Sequence, residues 1–575
     1  SLMQSSSYYL IANSTSISVS VCRYVQMLAS SLSLLLLLII LSMTPITVVQ
    51  SLHHVAVIGA GASGLAAARV LSRNGMVPVV LEKQLAGGGV WDYQKESQQS
   101  SQQQSSSSTQ QNKKTTPMYR GLRTNLPREI MAYREKPWVT PATVDDETET
   151  ETSTSSSSYV THEQVLEYLN DYKKDYDLDR FIHYGSTVTQ LTVLETTETT
   201  PASNIKLGSE PLPKIRLEWE SSTGSGDDQE IQKHSDIFDA VCIANGHYAL
   251  PSVPALPGLD EYFKGTVLHS IAYDSPADFT GQTVLCIGGR ASGSDLAREL
   301  SAHCPHVYLS DATAYTNAAT GGGASESTTT TQGNVTVVPK TQSVQPDGSI
   351  TFFNDDSQQQ QQQHQKVDTI IFCTGYEYQF PFITQTSNLD LTVGNRRVMP
   401  LVQQLWHADV PNLTFLGLPH SVIPFPLFEL QTEAIVGQLL LLEEEESVVG
   451  NDENDDSFVL NTQTKKSRHD QAQHDAVAGG SQATGQIKDT HFLGNAQWDY
   501  LRQMAKAAHL YDEEMEQFIQ TNKAIYDHAG NERKTIFPGG ADVYRSTRYK
   551  RRDDTRLFDV LSSECEAAAA PAAQS

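Results

Sequence analysis

A short apolar strand that runs straight into three glycines spaced G-x-G-x-x-G constrains this chain more than any other feature. In VAVIGAGASGLAAARVLSRNGMVPVVLE, residues 55–82, Val55 to Ile58 reads as a buried strand, and Gly59, Gly61 and Gly64 follow at once. A helical pattern with Leu65, Ala68 and Leu71 comes next, then a second apolar strand, Val77 to Leu81, ending in Glu82. Gly59 allows the tight turn, Gly61 lets a pyrophosphate approach the backbone, and Gly64 lets the helix pack on the strand. Ser63 stands in the first helical turn, where free N–H groups and the helix dipole favour an anion. Glu82, eighteen residues past Gly64, can accept a hydrogen bond from a ribose hydroxyl. A lone glycine motif is weak evidence, but here strand, helix, second strand and terminal acid are all in place.

A second unit of the same kind begins at Thr283: TVLCIGGRASGSDLARELSAHCPHVYLSD. Gly288 and Gly293 take the first and third glycine positions, and Arg290 holds the second, where its guanidinium could itself pair with phosphate. Asp311 lies eighteen residues past Gly293, the same offset as Glu82 from Gly64. Two further strand-then-glycine crossings, Val241 to Gly246 and Val367 to Gly375, fit a chain that leaves one domain, builds another and returns. The pattern predicts an α/β chain of two Rossmann-like dinucleotide-binding domains, the second inserted in the first. Residues 51–250 and 373–442 would form one domain and 251–372 the other, with a helical segment and tail over 491–575. Two such units imply electron transfer between a flavin and a nicotinamide. The onward acceptor could be a disulfide, a quinone or oxygen. No C-x-x-C occurs among Cys22, Cys242, Cys286, Cys304, Cys373 and Cys565, which argues against the first and signals no metal ribbon.

The other segments bound the answer. A length of 575 residues suggests two to four domains, and a net charge of −26 argues against nucleic acid or an anionic membrane as the main partner. Residues 97–116, 145–158, 316–332 and 357–365 are low-complexity polar inserts, and 443–490 is an acidic, polar stretch expected to be disordered. Residues 1–50 hold an uncharged window from Tyr24 to Val49 around the aliphatic run Leu34 to Leu41. It reads as a signal peptide or signal anchor, hence an endomembrane address such as the endoplasmic reticulum, with possible membrane association through that segment. Asn334 and Asn412 each open a glycosylation sequon, a match common by chance.

Four stretches resemble the flavin-containing monooxygenases. They are VAVIGAGASG with Glu82 and the following GGGVW; MYRGLRTNLPREIMAY, 118–133; FKGTVLHSIAY, 263–273; and GLPHSVIPFPLFELQ, 417–431. The third fits the family signature F-x-G-x-x-x-H-x-x-x-Y at Phe263, Gly265, His269 and Tyr273. The likeness spans roughly residues 53–442 without the inserts. It implies an FAD- and NADPH-dependent monooxygenase, similar to those acting on N,N-dimethylaniline. NADPH would reduce FAD, oxygen would add at the flavin C4a as a hydroperoxide, and a small-molecule amine or sulfide would take the distal oxygen.

By position, the resemblance implies that Asn125 is the active-site amide with Thr124 beside it, although an Asn before Leu126-Pro127 also suits a turn. Val90 and Trp91 match a flavin-contacting pair, and Trp91 could equally be core. Ser292, Gly293, Ser294 and Asp295 match the nicotinamide-nucleotide loop, and Gln431 a flavin-side closing segment. His269 is read first as a structural histidine. One departure stands out. Members that prefer NADPH commonly carry Arg after the second strand of the second unit, where this chain has Asp311-Ala312. That implies relaxed or NADH-leaning cofactor use unless Arg290 or Arg298 reaches the 2′-phosphate. Two rivals remain at this level: a Baeyer–Villiger-type monooxygenase, and a non-catalytic, membrane-tethered flavoprotein.

Overall fold

The structure is a computed structural model that describes residues 53–93, 116–138, 157–195, 206–207, 210–223, 230–311, 330–353, 364–441, 460, 463–478, 489–534, 543–551 and 558–561. The apolar leader and most of the four low-complexity inserts lie outside the described residues.

The first glycine unit folds as its pattern dictates. Strand β1 (His54–Ile58) leads into helix α1 (Ala62–Arg73) and then β2 (Val77–Leu81), which pairs parallel with β1, Val57 opposite Val80. Helix α2 (His162–Asp175) opens on a capping box, in which Thr161 and Gln164 each accept the other's backbone N–H. It is followed by β3 (Ile182–His183). A three-stranded antiparallel sheet of β4 (Ser186–Val193), β5 (Ile215–Thr223) and β6 (Glu230–Phe238) intervenes before β7 (Ala240–Ile243), which lies parallel to the other edge of β1.

The chain then leaves this sheet and builds a second one. Strands β8 (Thr266–His269), β9 (Thr283–Ile287), β10 (His306–Ser310), β11 (Thr330–Gln332), β12 (Val335–Val338) and β13 (Thr369–Phe372) take the spatial order β8-β13-β9-β10-β12-β11. All pairings are parallel except β11 with β12, and helix α3 (Ala291–Ser301) follows the second glycine turn. After β13 the chain returns as β14 (Leu401–Val402), β15 (Trp406–His407) and β16 (Leu413–Phe415), completing a seven-stranded sheet β14-β15-β16-β7-β1-β2-β3. The fold is therefore two Rossmann-like units, the second inserted in the first. Outgoing and returning chains touch as they cross, Leu250–Pro251 pairing antiparallel with Tyr376–Glu377.

Helix α4 (Pro424–Leu441) packs against α1 and α6 (Gln497–Ala507), and α7 (Glu513–Lys534) against α6. Helix α4 opens at Pro424. Pro424 and Pro426 fall in the first turn, where a missing N–H costs no intrahelical bond. The stretch 443–490, expected to be disordered, contains helix α5 (Lys465–Ala478). Its polar residues are what dock it: buried Arg468 donates to Ala408 O at 2.7 Å, and Asp475 accepts the Gln403 N–H at 2.6 Å. Both sequon asparagines use their amides internally. Asn334 donates to Ser301 O and Cys304 O, and Asn412, 1% exposed, donates to Pro213 O and Asp239 O. Among the described residues no helix is long and apolar enough to cross a membrane.

Candidate cofactor cleft and active site

The first glycine turn is closed on three sides and open on the fourth. Gly59 has φ +106°, and a Cβ there would stand 2.7 Å from Ala244 O. At Gly64 a Cβ would stand 1.9 Å from Gly59 O, so helix and turn touch backbone to backbone. Gly61 caps α1, and the nearest atom a Cβ there would meet is Gly89 Cα at 3.5 Å. Gly88 donates its N–H to Ala60 O, which lays the GGGVW loop across the turn. The space over Gly61 is thus a cradle bounded by backbone, and it fits a dinucleotide pyrophosphate. Ser63 is buried in the first turn of α1. Glu82 is 5% exposed and accepts from Ala60 N at 2.6 Å and Gln84 N at 2.8 Å. Each carboxylate oxygen keeps a second lone pair for a ribose hydroxyl. Val90 and Trp91 sit half-buried in a single turn after Gly89, Trp91 packing on the first core.

The second turn repeats the geometry. Gly288 has φ +115°, and a Cβ on Gly293 would stand 1.7 Å from Gly288 O. Ser294 Oγ donates to Gly289 O at 2.8 Å and fixes the turn, while Ser292 is exposed beside it. Arg290 is the N-cap of α3, its side chain 66% exposed, lying over the Phe492 ring and 3.7 Å from Asp489. The Asp311 carboxylate lies over Gly289, where a Cβ would be 2.3 Å from its Cγ. Ala312 lies outside the described residues.

Residues 118–133 join the two units. Tyr119 and Leu122 pack on the core of the second domain, whereas Ile130, Ala132 and Tyr133 belong to the core of the first. Asn125 falls at the change-over, exposed, its side chain bonded to no described residue. Its neighbour Thr124 is buried and latched: Thr124 N donates to Val160 O, and Val160 N donates to Thr124 Oγ1. Asp274, just past the signature, ties three pieces together. Tyr93 donates to it at 2.6 Å, and Arg120 donates from its side chain at 3.1 Å.

Several expected contacts turn out to be internal. Thr124 is buried, and its Oγ1 accepts the Val160 N–H. Gln431, fully buried, accepts from Gly417 N and donates to Tyr500 OH, so it shapes the left-handed turn at Gly417 rather than presenting an amide to a ligand. Asp295 has both carboxylate oxygens occupied, one by Arg298 and the other by Arg545, so Arg298 is committed and does not reach outward. His269 donates from Nε2 to Gly375 O and accepts the Ile271 N–H at Nδ1. Burial lowers its pKa, and its ring is a structural brace at the crossing. In the same signature, Tyr273 donates to Glu299 at 2.8 Å.

Two groups outside the four stretches, Asp489 and His491, lie beside Arg290 and His420. Asp489 accepts from His420 at 2.6 Å. Burial opposes its charge, but the His420 hydrogen bond and the charges of His420, Arg396 and Arg290 outweigh it and hold its carboxyl below the usual range. His491, fully buried, accepts the Val398 N–H at Nε2 and donates from Nδ1 to Gln404 Oε1, an arrangement only neutral imidazole can make. Burial, with His420 and His247 nearby, pushes its pKa down to about 3. The folded value lies below the ordinary 6.5, so the unfolded chain binds the extra proton between them. The stability contributed is complete above about 6.5 and is lost as pH falls toward about 3, with a slope of up to about 1.4 kcal/mol per pH unit. Denaturant titration at about pH 7.5 and about pH 5 should show this loss, and His491→Asn should flatten it; equal slopes in the two proteins would remove the assignment.

A family model described as flavin-binding monooxygenase-like matches residues 52–316, and one described as pyridine nucleotide-disulphide oxidoreductase matches 229–413. Flavin-containing monooxygenase FMO GS-OX-like 4 of Arabidopsis thaliana is 34% identical over 388 residues, 67% of this chain and 76% of its own length. FMO GS-OX5 of the same plant is 32% identical over 468 residues, 80% of this chain and 85% of its own. Among solved structures, S-allyl-L-cysteine S-oxygenase from Allium sativum shares 26% identity with a TM-score of 0.64, covering 86% of this chain and 95% of that one. Tmm from Pelagibacter sp. strain HTCC7211 shares 17% identity at a TM-score of 0.59, over 88% and 95% of the two chains, and bears on the fold alone.

Proposed function

Since the chain belongs to the flavin-containing monooxygenase family, we propose that it oxygenates a soft sulfur or nitrogen centre of a small molecule at the mouth between its two glycine turns. The observation that carries this reading is the position of Asn125, exposed where one segment passes from the second core to the first. Gly59, Gly61, Ser63, Gly64, Glu82, Val90 and Trp91 would hold FAD, and Gly288, Arg290, Ser292, Gly293 and Ser294 the nicotinamide nucleotide. When bound, FAD reduced by the nicotinamide supplies the two electrons that divide dioxygen between the substrate and water. The protein adds no acid or base that must titrate. The Asn125 amide offers donors and an acceptor, both unchanged across the working pH range. Buried Thr124 and the Val160 latch fix where that amide stands.

A thioether is the first substrate to try, because the Allium relative is an S-oxygenase. The purified FAD-loaded protein should convert a thioether to its sulfoxide, with one NADPH and one oxygen consumed per product, and a tertiary amine should be the next best. A lactone from a cyclic ketone in place of sulfoxide would favour the Baeyer–Villiger alternative. FAD binding with no substrate-dependent NADPH use would leave a non-catalytic flavoprotein.

Nicotinamide preference follows from the second turn. The acid over Gly289 suits a ribose diol, Arg298 is held by Asp295, and exposed Arg290 is a cation of the turn that can meet a 2′-phosphate. NADPH and NADH should therefore differ by less than about a hundredfold in kcat/KM, and Arg290→Ala should weaken NADPH more than NADH, by about tenfold. Steady-state kinetics with both nucleotides decides. A larger wild-type preference, or equal losses for both nucleotides in the variant, would refute it. The aliphatic leader supports an endomembrane address, which fractionation of the full chain with and without residues 24–49 would test; an unchanged location without them would overturn it.

A further inference from the structure

We infer that Arg545, from the far end of the chain, is a positioning residue that locks the Asn125 peptide to the nicotinamide helix. It lies in the short turn Val543–Ser546 and is 4% exposed. Its Nε donates to Thr124 O at 3.0 Å, and its Nη2 donates to Arg123 O at 3.2 Å and to Asp295 Oδ2 at 3.0 Å. The three acceptors belong to two different structures. Arg123 and Thr124 immediately precede Asn125, and Asp295 lies in the first half of α3, directly behind the second glycine turn. Arg298 takes the other oxygen of Asp295 at 2.9 Å, so the carboxylate is held between two guanidinium groups.

The consequence is geometric. The carbonyl of Thr124 belongs to the peptide that carries the N–H of Asn125. A donor fixed on that oxygen sets the peptide plane, and with it the base from which the Asn125 side chain extends. The N–H of Thr124 donates to Val160 O and its Oγ1 accepts the Val160 N–H, so Arg545 sets the remaining backbone direction of this residue. A lysine could keep the charge but not the fork, since its single ammonium cannot span two carbonyls and a carboxylate in one plane. Nucleotide binding at α3 and placement of the amide therefore become one event. The nucleotide orders the Asp295 end, and Arg545 passes that order to the loop.

This rests on the reading of the second turn as a nicotinamide site, so the test separates the two. In FAD-loaded full-length enzyme, NADP⁺ should raise the melting temperature and perturb the flavin spectrum. If the wild type shows neither, the nucleotide reading falls and this inference with it. If it shows both, Arg545→Lys should keep its FAD content while its NADP⁺ Kd weakens about tenfold and a larger share of NADPH oxidation ends as hydrogen peroxide. Asp295→Asn should reproduce the effect, and the double variant should lose no more than either single one. An Arg545→Lys enzyme with wild-type NADP⁺ affinity and peroxide share would overturn the inference. So would additive losses in the double variant, or a loss that only follows lower FAD content.

Discussion

Asn125→Ala is expected to cut oxygenated product by about 100- to 1,000-fold, the range seen when a single well-placed donor is removed at a reacting centre. The protein should survive the change. Asn125 is exposed, its side chain bonds to no described residue, and its loop is anchored by Thr124 and Arg123 rather than by itself. NADPH oxidation should continue, now discharging as hydrogen peroxide, because the two glycine turns proposed to hold the cofactors are untouched. Asn125→Asp should be no better: it keeps the shape but replaces two donors by a negative charge. The measurement is product formed against NADPH consumed, with FAD content checked in each variant. A variant making product at the wild-type ratio would displace Asn125 from the centre of the mechanism.

The second large effect separates two glycines three residues apart. Gly61→Ala should give a folded protein that has lost FAD. Its φ of −75° suits alanine, and the new methyl meets nothing closer than Gly89 Cα at 3.5 Å, yet it fills the cradle. Gly64→Ala should not yield a folded first domain. Its methyl would sit 1.9 Å from Gly59 O, and neither the turn nor the helix can retreat, since Ala244 O already bears on Gly59 and the residues around Gly64 in α1 are buried. Overpacking in a sound core costs about 1–3 kcal/mol, and a backbone-to-methyl collision exceeds that range. Soluble yield, circular dichroism and flavin absorbance of the two variants decide it. A yellow Gly61→Ala enzyme, or a stable Gly64→Ala enzyme, would contradict the geometry.

The parts legible in the sequence are those whose constraints are local. A Gly turn demands particular residues within a few positions of each other, so both units, Glu82 and the crossing at His269 could be read along the chain. The starts and stops that depend on tertiary contact could not. Helix α4 opens with two prolines, which look like a loop until Pro424 is seen at the first helical position. Helix α5 is mostly polar, and beside the small buried Ala472 and Ala476 it docks through Arg468 and Asp475. Site residues divide in the same way. The glycines follow from spacing and Asn125 is proposed by the resemblance, but neither could tell that Gln431, Thr124 and Asp295 have internal partners, because Tyr500, Val160 and Arg545 are distant in sequence. Arg545 stands 421 positions from Thr124, with no motif around it.

The antiparallel pairing of Leu250–Pro251 with Tyr376–Glu377 has a bearing on how such an enzyme diversifies. It brings the entrance and exit of the inserted domain side by side, so that domain has adjacent ends and hydrophobic clusters of its own. It can be exchanged like a cartridge, altering which nucleotide is read while leaving the flavin half as it stands. Any replacement must still offer a seat for Tyr119 and a carboxylate where Asp295 now meets the arriving guanidinium; a graft lacking either would bind both cofactors and squander the electrons.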